Sequence, residues 1–253
     1  MGKREFGVLY FVNKNPGYKE MMDYSIRSIK KFHPDWEIEI IESESYSTPI
    51  WIKAYRALSF WKWSARKKRS NMDIRVILDK ALAMLDSPFE NTLYIDVDTV
   101  VLKSLSSYKE LLNNYDVIAT PLSWKMYNGF DTWHPVTFPM VMAGVVFYNN
   151  KFKTEYSKYV EALYKFSGQK FDKGDDQYIF SMACELEKNN LNILLDPYLQ
   201  IDAMNLAQHL GNNYRHNKDG VLDLTCKEIQ KFHIFHYNGP NKLAYKSQIK
   251  TIC

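Results

Sequence analysis

The sequence has few cysteines and no long apolar run. Its three cysteines are scattered over 253 residues, at Cys184, Cys226 and Cys253. An odd number at these spacings argues against a disulfide framework and against a cysteine zinc site. No apolar run reaches the roughly 18 to 20 residues that cross a bilayer, and residues 1–5 lead into a strand-like segment without a signal-peptide pattern. We therefore expect no transmembrane segment and a cytoplasmic location.

A strong charge of either sign is also missing. The net charge of +4 comes from 33 basic and 29 acidic residues, a mild balance that does not indicate a nucleic-acid-binding protein. One dense basic run, at residues 66–69, is either a solvated loop or helix end, or a contact for phosphate or an anionic membrane. No internal repeat or low-complexity linker divides the chain, so we expect one domain over residues 1–253.

What is present is an alternation of strand and helix patterns. Residues 6–12 form a short apolar run typical of a buried strand, and Asn-Pro-Gly follows at residues 15–17. Met22, Ile26 and Ile29 then fall on one helical face before a second strand pattern at residues 36–40. This order predicts a βαβ opening.

The same alternation continues to the carboxyl end. Helix patterns occur at residues 74–85, 152–163 and 178–186, and strand patterns at 92–96, 117–120, 143–148, 193–195 and 232–236. Such a sequence predicts an α/β fold with a mostly parallel central sheet, whose ligands bind at the carboxyl ends of the strands. The irregular stretch at residues 124–139 is long enough to suggest a lid or a binding loop.

The most informative local feature is an acidic pair inside an apolar segment. Residues 93–102 read LYIDVDTVVL, with Asp96 and Asp98 separated by Val97. Two neighbouring carboxylates repel each other, and burial makes them costly unless a cation, a basic group or water compensates them. Mg²⁺ and Mn²⁺ take oxygen ligands and bridge them to diphosphate oxygens. The pair therefore predicts a divalent metal site, the alternative being a strand that simply ends in solvent.

Two enzyme classes carry such a pair at a strand end. In phosphatases of the haloacid dehalogenase type, the pair normally lies near the start of the domain, and a later acidic pair closes an apolar strand. In this chain about 90 residues precede Asp96, and residues 167–173 before the later pair, Asp175 and Asp176, are polar. The second class, glycosyltransferases with the GT-A fold, fits this context better.

Four motifs in order resemble glycosyltransferase family 8, the group of glycogenin and the bacterial lipooligosaccharide galactosyltransferases. The acidic pair at 96–98 is preceded sixteen residues earlier by Lys80. Residues 143–149 (AGVVFYN), 174–177 (GDDQ) and 236–242 (HYNGPNK) are similar to the family's Asn-(Ser/Ala)-Gly-Val, Asp-Gln and His-x-x-Gly-x-x-Lys motifs. The chain departs from the family at two places, where Met142 replaces the usual Asn and Leu243-Ala244 replaces Pro-Trp.

The resemblance implies a GT-A fold and a set of site residues. Asp96, Asp98 and His236 would hold Mn²⁺ or Mg²⁺, since neutral imidazole is a suitable third ligand, although a histidine there could also be a packed core residue. By the same resemblance, the cation would bind a nucleotide-sugar donor, expected to be UDP-linked, that passes its sugar to a glycan or glycoconjugate acceptor with retention. The residues expected to contact this donor are Tyr10, Lys80, Val97, Gly239 and Lys242.

The sugar side of the reaction is assigned by the resemblance to Asp176 and Gln177. Asp176 could be a nucleophile, an acceptor for a sugar hydroxyl, or a helix cap. Tyr10 and Tyr18 could stack on the base or pack in the core. An aromatic group could form an acceptor platform or pin a loop to the core; it consists of Trp124, Tyr127, Trp133 and His134.

Two other functions stay open from the sequence. One is the Mg²⁺-dependent phosphatase described above. The other is a GT-A-like module that binds sugar or scaffolds other proteins without turnover, which the replacement at Met142 keeps under consideration.

Overall fold

The structure, a computed structural model, describes residues 4–12, 16–42, 74–121, 141–166, 175–202 and 229–237. Within these ranges the side chains of residues 74–78, 161–166, 175–176, 178 and 202 are not described. The basic run at 66–69 and the stretch at 124–139 lie outside the described residues, as do Gly239 and Lys242. None of the described helices is both long enough and apolar enough to cross a membrane.

The described elements alternate as the sequence predicts. The helices are α1 (Pro16–Phe32), α2 (Ile74–Leu85), α3 (Ser106–Leu111), α4 (Asn150–Phe166) and α5 (Asp175–Leu186). The strands are β1 (Arg4–Val12), β2 (Glu37–Glu42), β3 (Phe89–Ile95), β4 (Thr99–Val101), β5 (Val117–Pro121), β6 (Val141–Asn149), β7 (Ile193–Leu195), β8 (Gln200–Asp202) and β9 (Ile234–His236). A 3₁₀ helix spans Ile229–Lys231.

Six of the strands form a central sheet in the order β2-β1-β3-β6-β5-β7. Strand β1 runs parallel to β2 and β3, and β5 runs parallel to β7. Strand β6 is antiparallel to both of its neighbours, β3 and β5. The start of β6 therefore lies beside the carboxyl end of β3, so that a side chain from either strand can reach the same place.

Both faces of this sheet are covered, which explains why its inner strands are largely apolar, whereas the edge strand β2 (EIEIIE) is not. Successive residues of a strand point to opposite faces. Leu9 and Phe11 of β1 accordingly pack on one side with residues of α2, α4 and α5. Val8 and Tyr10 pack on the other side with α1 and α3. The result is a three-layer α/β/α arrangement.

A second sheet of three strands has the order β4-β9-β8. Three residues separate the end of β3 from the start of β4, which pairs antiparallel with β9, with Thr99 opposite His236. Val100 of β4 and Phe235 of β9 pack in a third apolar cluster with Met21 of α1. This small sheet joins the chain after the acidic pair to the strand that ends in His236.

Most differences from the predicted elements are in their ends. Strand β3 ends at Ile95, so Asp96 lies just beyond it, and α5 begins at Asp175, three residues earlier than the apolar pattern suggests. The last strand is shorter than predicted, because Phe232 and His233 form a bend after the 3₁₀ helix. Helix periodicity marks only the buried face, and so it does not define where a helix starts.

Candidate functional site

The acidic pair lies in the tight turn between β3 and β4. The Asp96 backbone N–H donates to the Gly144 carbonyl oxygen at 2.7 Å, and the Asp96 carbonyl accepts from the Thr99 hydroxyl at 2.7 Å. Asp98 is buried, with 3% of its surface exposed, and Thr99 is fully buried. The main chain on both sides of Asp96 is therefore held by hydrogen bonds, which gives the two carboxylates a defined position.

His236 reaches this turn from the other end of the chain. It is the last residue of β9, and the N–H of the next residue, Tyr237, donates to the Asp98 carbonyl at 2.8 Å. The His236 Nε2 atom lies 3.1 Å from Asp98 Oδ1 and 3.7 Å from Asp96 Oδ2. One potential ligand atom from each of the three residues lies within 4.8 Å of the other two. The predicted convergence of these residues is therefore present.

The donor set suits a divalent cation. Two carboxylates and an imidazole are ligands that Mn²⁺ accepts, and carboxylates also bind Mg²⁺. The backbone of Gly144 forms one wall of the site. A Cβ at this position would lie 2.5 Å from His236 Cε1, closer than atoms can pack, and in tight contact at 3.0 Å with Asp96 Oδ2. Because glycine has no Cβ, the imidazole and the carboxylate can occupy this space together.

A lysine and a tyrosine bind the Asp96 carboxylate from the side. Lys80 of α2 is 8% exposed, and its Nζ lies 3.0 Å from Oδ1 and 3.3 Å from Oδ2 of Asp96. The Tyr94 hydroxyl donates to Oδ1 at 2.7 Å. Lys80 also lies over the Tyr94 ring, 5.0 Å from its centroid. The described part of the site thus contains two carboxylates and one lysine cation, a balance that favours a further positive charge.

The other predicted residues take different positions. The ring of Tyr10 is fully buried and its hydroxyl lies 2.8 Å from Ser25 Oγ, so this side chain has the core role that the sequence left open. Val97 is also buried, in the apolar cluster on the same face of the sheet. Tyr18 is half-buried against two of the apolar clusters.

Gln177 is the third residue of α5, and its side chain is half-buried. Its carbonyl accepts from the Ser181 hydroxyl at 2.5 Å, and Ser181 Oγ in turn accepts from the Val141 N–H at 2.9 Å. The first turn of α5 is therefore attached to the start of β6, three residues before Gly144. Asp176 is the second residue of α5, and its side chain is not described.

Sequence reasoning did not assign a role to Tyr94 or Gln200. Tyr94 could have been found, because residues two apart in a strand share a face and Tyr94 precedes Asp96 by two. Gln200 gives no such signal. Its Nε2 donates to the Met142 and Val145 carbonyls at 3.3 and 3.4 Å, across the irregularity in the β5–β6 pairing. This buried amide supports the backbone on both sides of Gly144 and is recognisable only from the fold.

No protein-family profile and no curated protein matches the chain. Solved structures do. The galactosyltransferase LgtC, in a complex with donor and acceptor sugar analogues, matches with a TM-score of 0.54 and 14% identity over 97% of this chain and 95% of LgtC.

This chain has the GT-A fold. Two further glycosyltransferases match with TM-scores of 0.53. GlyE of Streptococcus pneumoniae TIGR4 is 16% identical and is matched over 95% of this chain and 56% of its own. A glycosyltransferase involved in glycosylation of the major capsid of PBCV-1 is 9% identical, with 97% and 99% covered. The fold predicted from the motifs is thus confirmed.

Proposed function

We propose that this GT-A protein is a metal-dependent glycosyltransferase that uses a nucleotide-diphosphate sugar, with UDP as the expected nucleotide. The observation that carries the proposal is the convergence of Asp96, Asp98 and His236 on one point of the fold. His236 follows Asp98 by 138 positions, yet the three residues meet beside the carboxyl end of β3, the edge where α/β sheets bind ligands. The phosphatase alternative requires a different fold.

The chemistry follows from the arrangement of charges. A divalent cation held by Asp96, Asp98 and His236 would supply positive charge to the oxygens of the departing diphosphate. Lys80 lies against Asp96, where its ammonium group would add positive charge beside the diphosphate. The proposed roles of Gly239 and Lys242 are close backbone approach and charge for the same diphosphate.

The sugar side is assigned to the amino end of α5. Asp176 and Gln177 would face the donor sugar, where an oxocarbenium-like centre develops and a carboxylate or amide oxygen stabilises it. The hydrogen bonds from Gln177 through Ser181 to Val141 support this proposal, because they attach α5 to the strand that carries Gly144. Retention of configuration is part of the proposal by resemblance to family 8. Tyr10 is left out of the proposed donor site, since its ring is enclosed.

A screen of ligands separates this function from its rivals. The purified protein is mixed with UDP, GDP, CDP and their sugars, each with Mn²⁺, with Mg²⁺ or with a chelator, and melting temperature and donor hydrolysis are measured. We expect one nucleotide to raise the melting temperature only with metal, because a ligand that binds the folded state alone stabilises it. We also expect slow metal-dependent hydrolysis of its sugar.

Each alternative result identifies another function. Hydrolysis of a generic phosphate ester without any response to nucleotide sugars would support phosphatase activity. Metal-dependent nucleotide binding without hydrolysis, persisting when glycan acceptors are supplied, would support a non-catalytic module.

A further inference from the structure

Three buried hydroxyl groups form a line that ends on the backbone of Asp96. The Tyr10 hydroxyl lies 2.8 Å from Ser25 Oγ, and Ser25 Oγ lies 2.9 Å from Thr99 Oγ1. Thr99 Oγ1 lies 2.7 Å from the Asp96 carbonyl oxygen. All three side chains are 0% exposed. The line thus connects β1, α1 and β4 to the turn that carries both aspartates.

The direction of these hydrogen bonds is fixed at one end. A carbonyl oxygen only accepts, so Thr99 must donate its single hydroxyl proton to Asp96. Thr99 can then only accept from Ser25, and Ser25 can only accept from Tyr10. Tyr10 must therefore keep its proton, and burial, which raises the pKa of this phenol, favours that state. Each of the three hydroxyl groups therefore donates to one defined acceptor, and this fixes the orientation of all three hydroxyl groups.

We propose that Tyr10, Ser25 and Thr99 are positioning residues that hold the Asp96 turn in the shape needed to bind a cation. This inference rests on the proposed function only where it concerns the metal. The Asp96 peptide units are held on one side by Gly144 and on the other by Thr99. Without the Thr99 hydroxyl the Asp96 carbonyl loses the second of these contacts. The angle between the Asp96 and Asp98 carboxylates is then no longer fixed before a cation arrives.

A second serine of α1, Ser28, also binds the chain that follows the Asp96 turn. Ser28 is 2% exposed, accepts from the Val101 N–H at 2.9 Å and donates to the Ser25 carbonyl at 2.6 Å. Helix α1 therefore holds both ends of β4 through serine side chains three residues apart. Serines at this spacing on an otherwise apolar helix face are costly to bury unless they make such bonds.

The test uses hydroxyl-deleting variants of the full chain. Thr99→Val keeps the shape and removes the hydroxyl, while Thr99→Ser keeps the hydroxyl and removes the methyl group. Ser25→Ala and Tyr10→Phe remove the next two groups in turn. A matched control is Tyr148→Phe, which removes a buried tyrosine hydroxyl that donates to the Met84 carbonyl at 2.7 Å on the opposite face of the sheet.

Two quantities are measured for each variant: Mn²⁺ affinity by titration calorimetry, and amide hydrogen exchange of the peptide that spans residues 96–101. We expect Thr99→Val to bind Mn²⁺ about 10-fold more weakly, the lower end of the range of about 10–100-fold that is typical when a group supporting metal ligands is removed, and to exchange faster in this peptide. Ser25→Ala should lose less Mn²⁺ affinity than Thr99→Val, and Tyr10→Phe should lose less than Ser25→Ala. Thr99→Ser and Tyr148→Phe should retain wild-type affinity and local exchange.

The outcomes distinguish the two proposals. Wild-type affinity and unchanged local exchange in Thr99→Val overturn the positioning role, and so does an equal loss in Tyr148→Phe. If the wild-type protein binds neither Mn²⁺ nor Mg²⁺, the proposed function fails, and exchange alone then decides whether the hydroxyl line holds the turn. Should Thr99→Val fail to fold, the same comparison is made with Ser25→Ala and Tyr10→Phe.

Discussion

Two buried acidic regions of this protein are built in opposite ways. Asp116, just before β5, has a side chain that is 10% exposed and is surrounded by donors. It accepts from Lys151 Nζ at 2.8 Å, from Asn149 Nδ2 at 2.9 Å and from the Asn192 N–H at 2.8 Å. Burial by itself would raise the pKa of Asp116, but these hydrogen bonds outweigh it and lower the pKa. Asp116 thus ties β5, α4 and the start of β7 together.

Among the described residues, the candidate metal site contains two carboxylates, an imidazole and one lysine. Asp96 and Asp98 both lie within 4 Å of His236 Nε2, and Lys80 contacts Asp96. The carboxylate of Asp116 is already compensated by its hydrogen-bond donors and so has a structural role. Two carboxylates that lie close together, as Asp96 and Asp98 do, instead favour a divalent cation. Substitutions at the candidate metal site should therefore lower metal affinity, whereas substitutions of Asp116 should lower the free energy of unfolding.

The largest expected effect is that of Asp98→Asn. The amide is a weaker metal ligand and has no charge, so we expect metal-dependent nucleotide affinity to fall by at least about 100-fold while the fold is retained. Calorimetric titration of UDP in Mn²⁺ measures the loss, and circular dichroism checks the fold. Asp116→Asn is the matched control and should bind UDP and Mn²⁺ like the wild type. Normal UDP affinity of Asp98→Asn in Mn²⁺ would contradict the metal assignment.

Gly144→Ala should produce the next largest loss at the metal site. The new methyl group would overlap His236 Cε1 and press on Asp96 Oδ2, so these side chains must move apart. We expect Mn²⁺ affinity to fall about 10–100-fold, as is typical when support for metal ligands is disturbed. Manganese binding followed by electron paramagnetic resonance measures this effect.

Gly7→Ala is the control for that substitution. A Cβ at Gly7 would overlap the Phe89 ring at 2.1 to 2.5 Å, and Phe89 is the first residue of β3, at the opposite end from the acidic pair. Overpacking there should lower the free energy of unfolding by about 1–3 kcal/mol and leave the metal affinity of the folded protein unchanged. Equal losses of metal affinity in both variants would argue that Gly144 acts through general stability.

Lys80→Met should have a smaller effect, and in the absence of nucleotide it should strengthen metal binding instead of weakening it. Removing the ammonium group that contacts Asp96 removes repulsion toward a cation, so Mn²⁺ should bind about tenfold more tightly without nucleotide, which corresponds to about 1.4 kcal/mol. Nucleotide affinity in saturating Mn²⁺ should fall if Lys80 contacts the diphosphate as proposed. Lys151→Met, which leaves Asp116 without its lysine, serves as the control. Weaker binding of Mn²⁺ to Lys80→Met would show that this lysine supports the cation.

Asp116→Asn should change only stability and its dependence on pH. The lowered pKa of Asp116 means that its contribution is present above the ordinary aspartate value of 3.8 and is lost as pH falls through the lowered value. We expect the variant to lose about 1–3 kcal/mol of unfolding free energy at neutral pH, because a charged acceptor is removed from three donors. Denaturant unfolding at neutral and acidic pH should show a flatter pH profile than the wild type. An unchanged profile would remove Asp116 from the acid response.

Much of the fold was predictable, because a sheet covered on both faces needs continuous apolar strands and helices with one apolar face. The acidic pair was visible for the same reason, since Asp96 and Asp98 interrupt such a run. The burial of Tyr10 could not be predicted in this way. Its position near the end of β1 suggested contact with a ligand, yet the helical layer encloses its ring. Periodicity tells which residues share a face, and it does not tell how far a neighbouring layer extends.

The sequence by itself determined the α/β class, the position of the two aspartates and, through motif order, the partnership with His236. Only the tertiary structure decided what surrounds them. The wall formed by Gly144, the lysine on Asp96 and the hydroxyl line through Ser25 and Thr99 depend on distances between residues far apart in the chain. Such contacts form because separate layers pack together, and no local pattern encodes the separation between two layers.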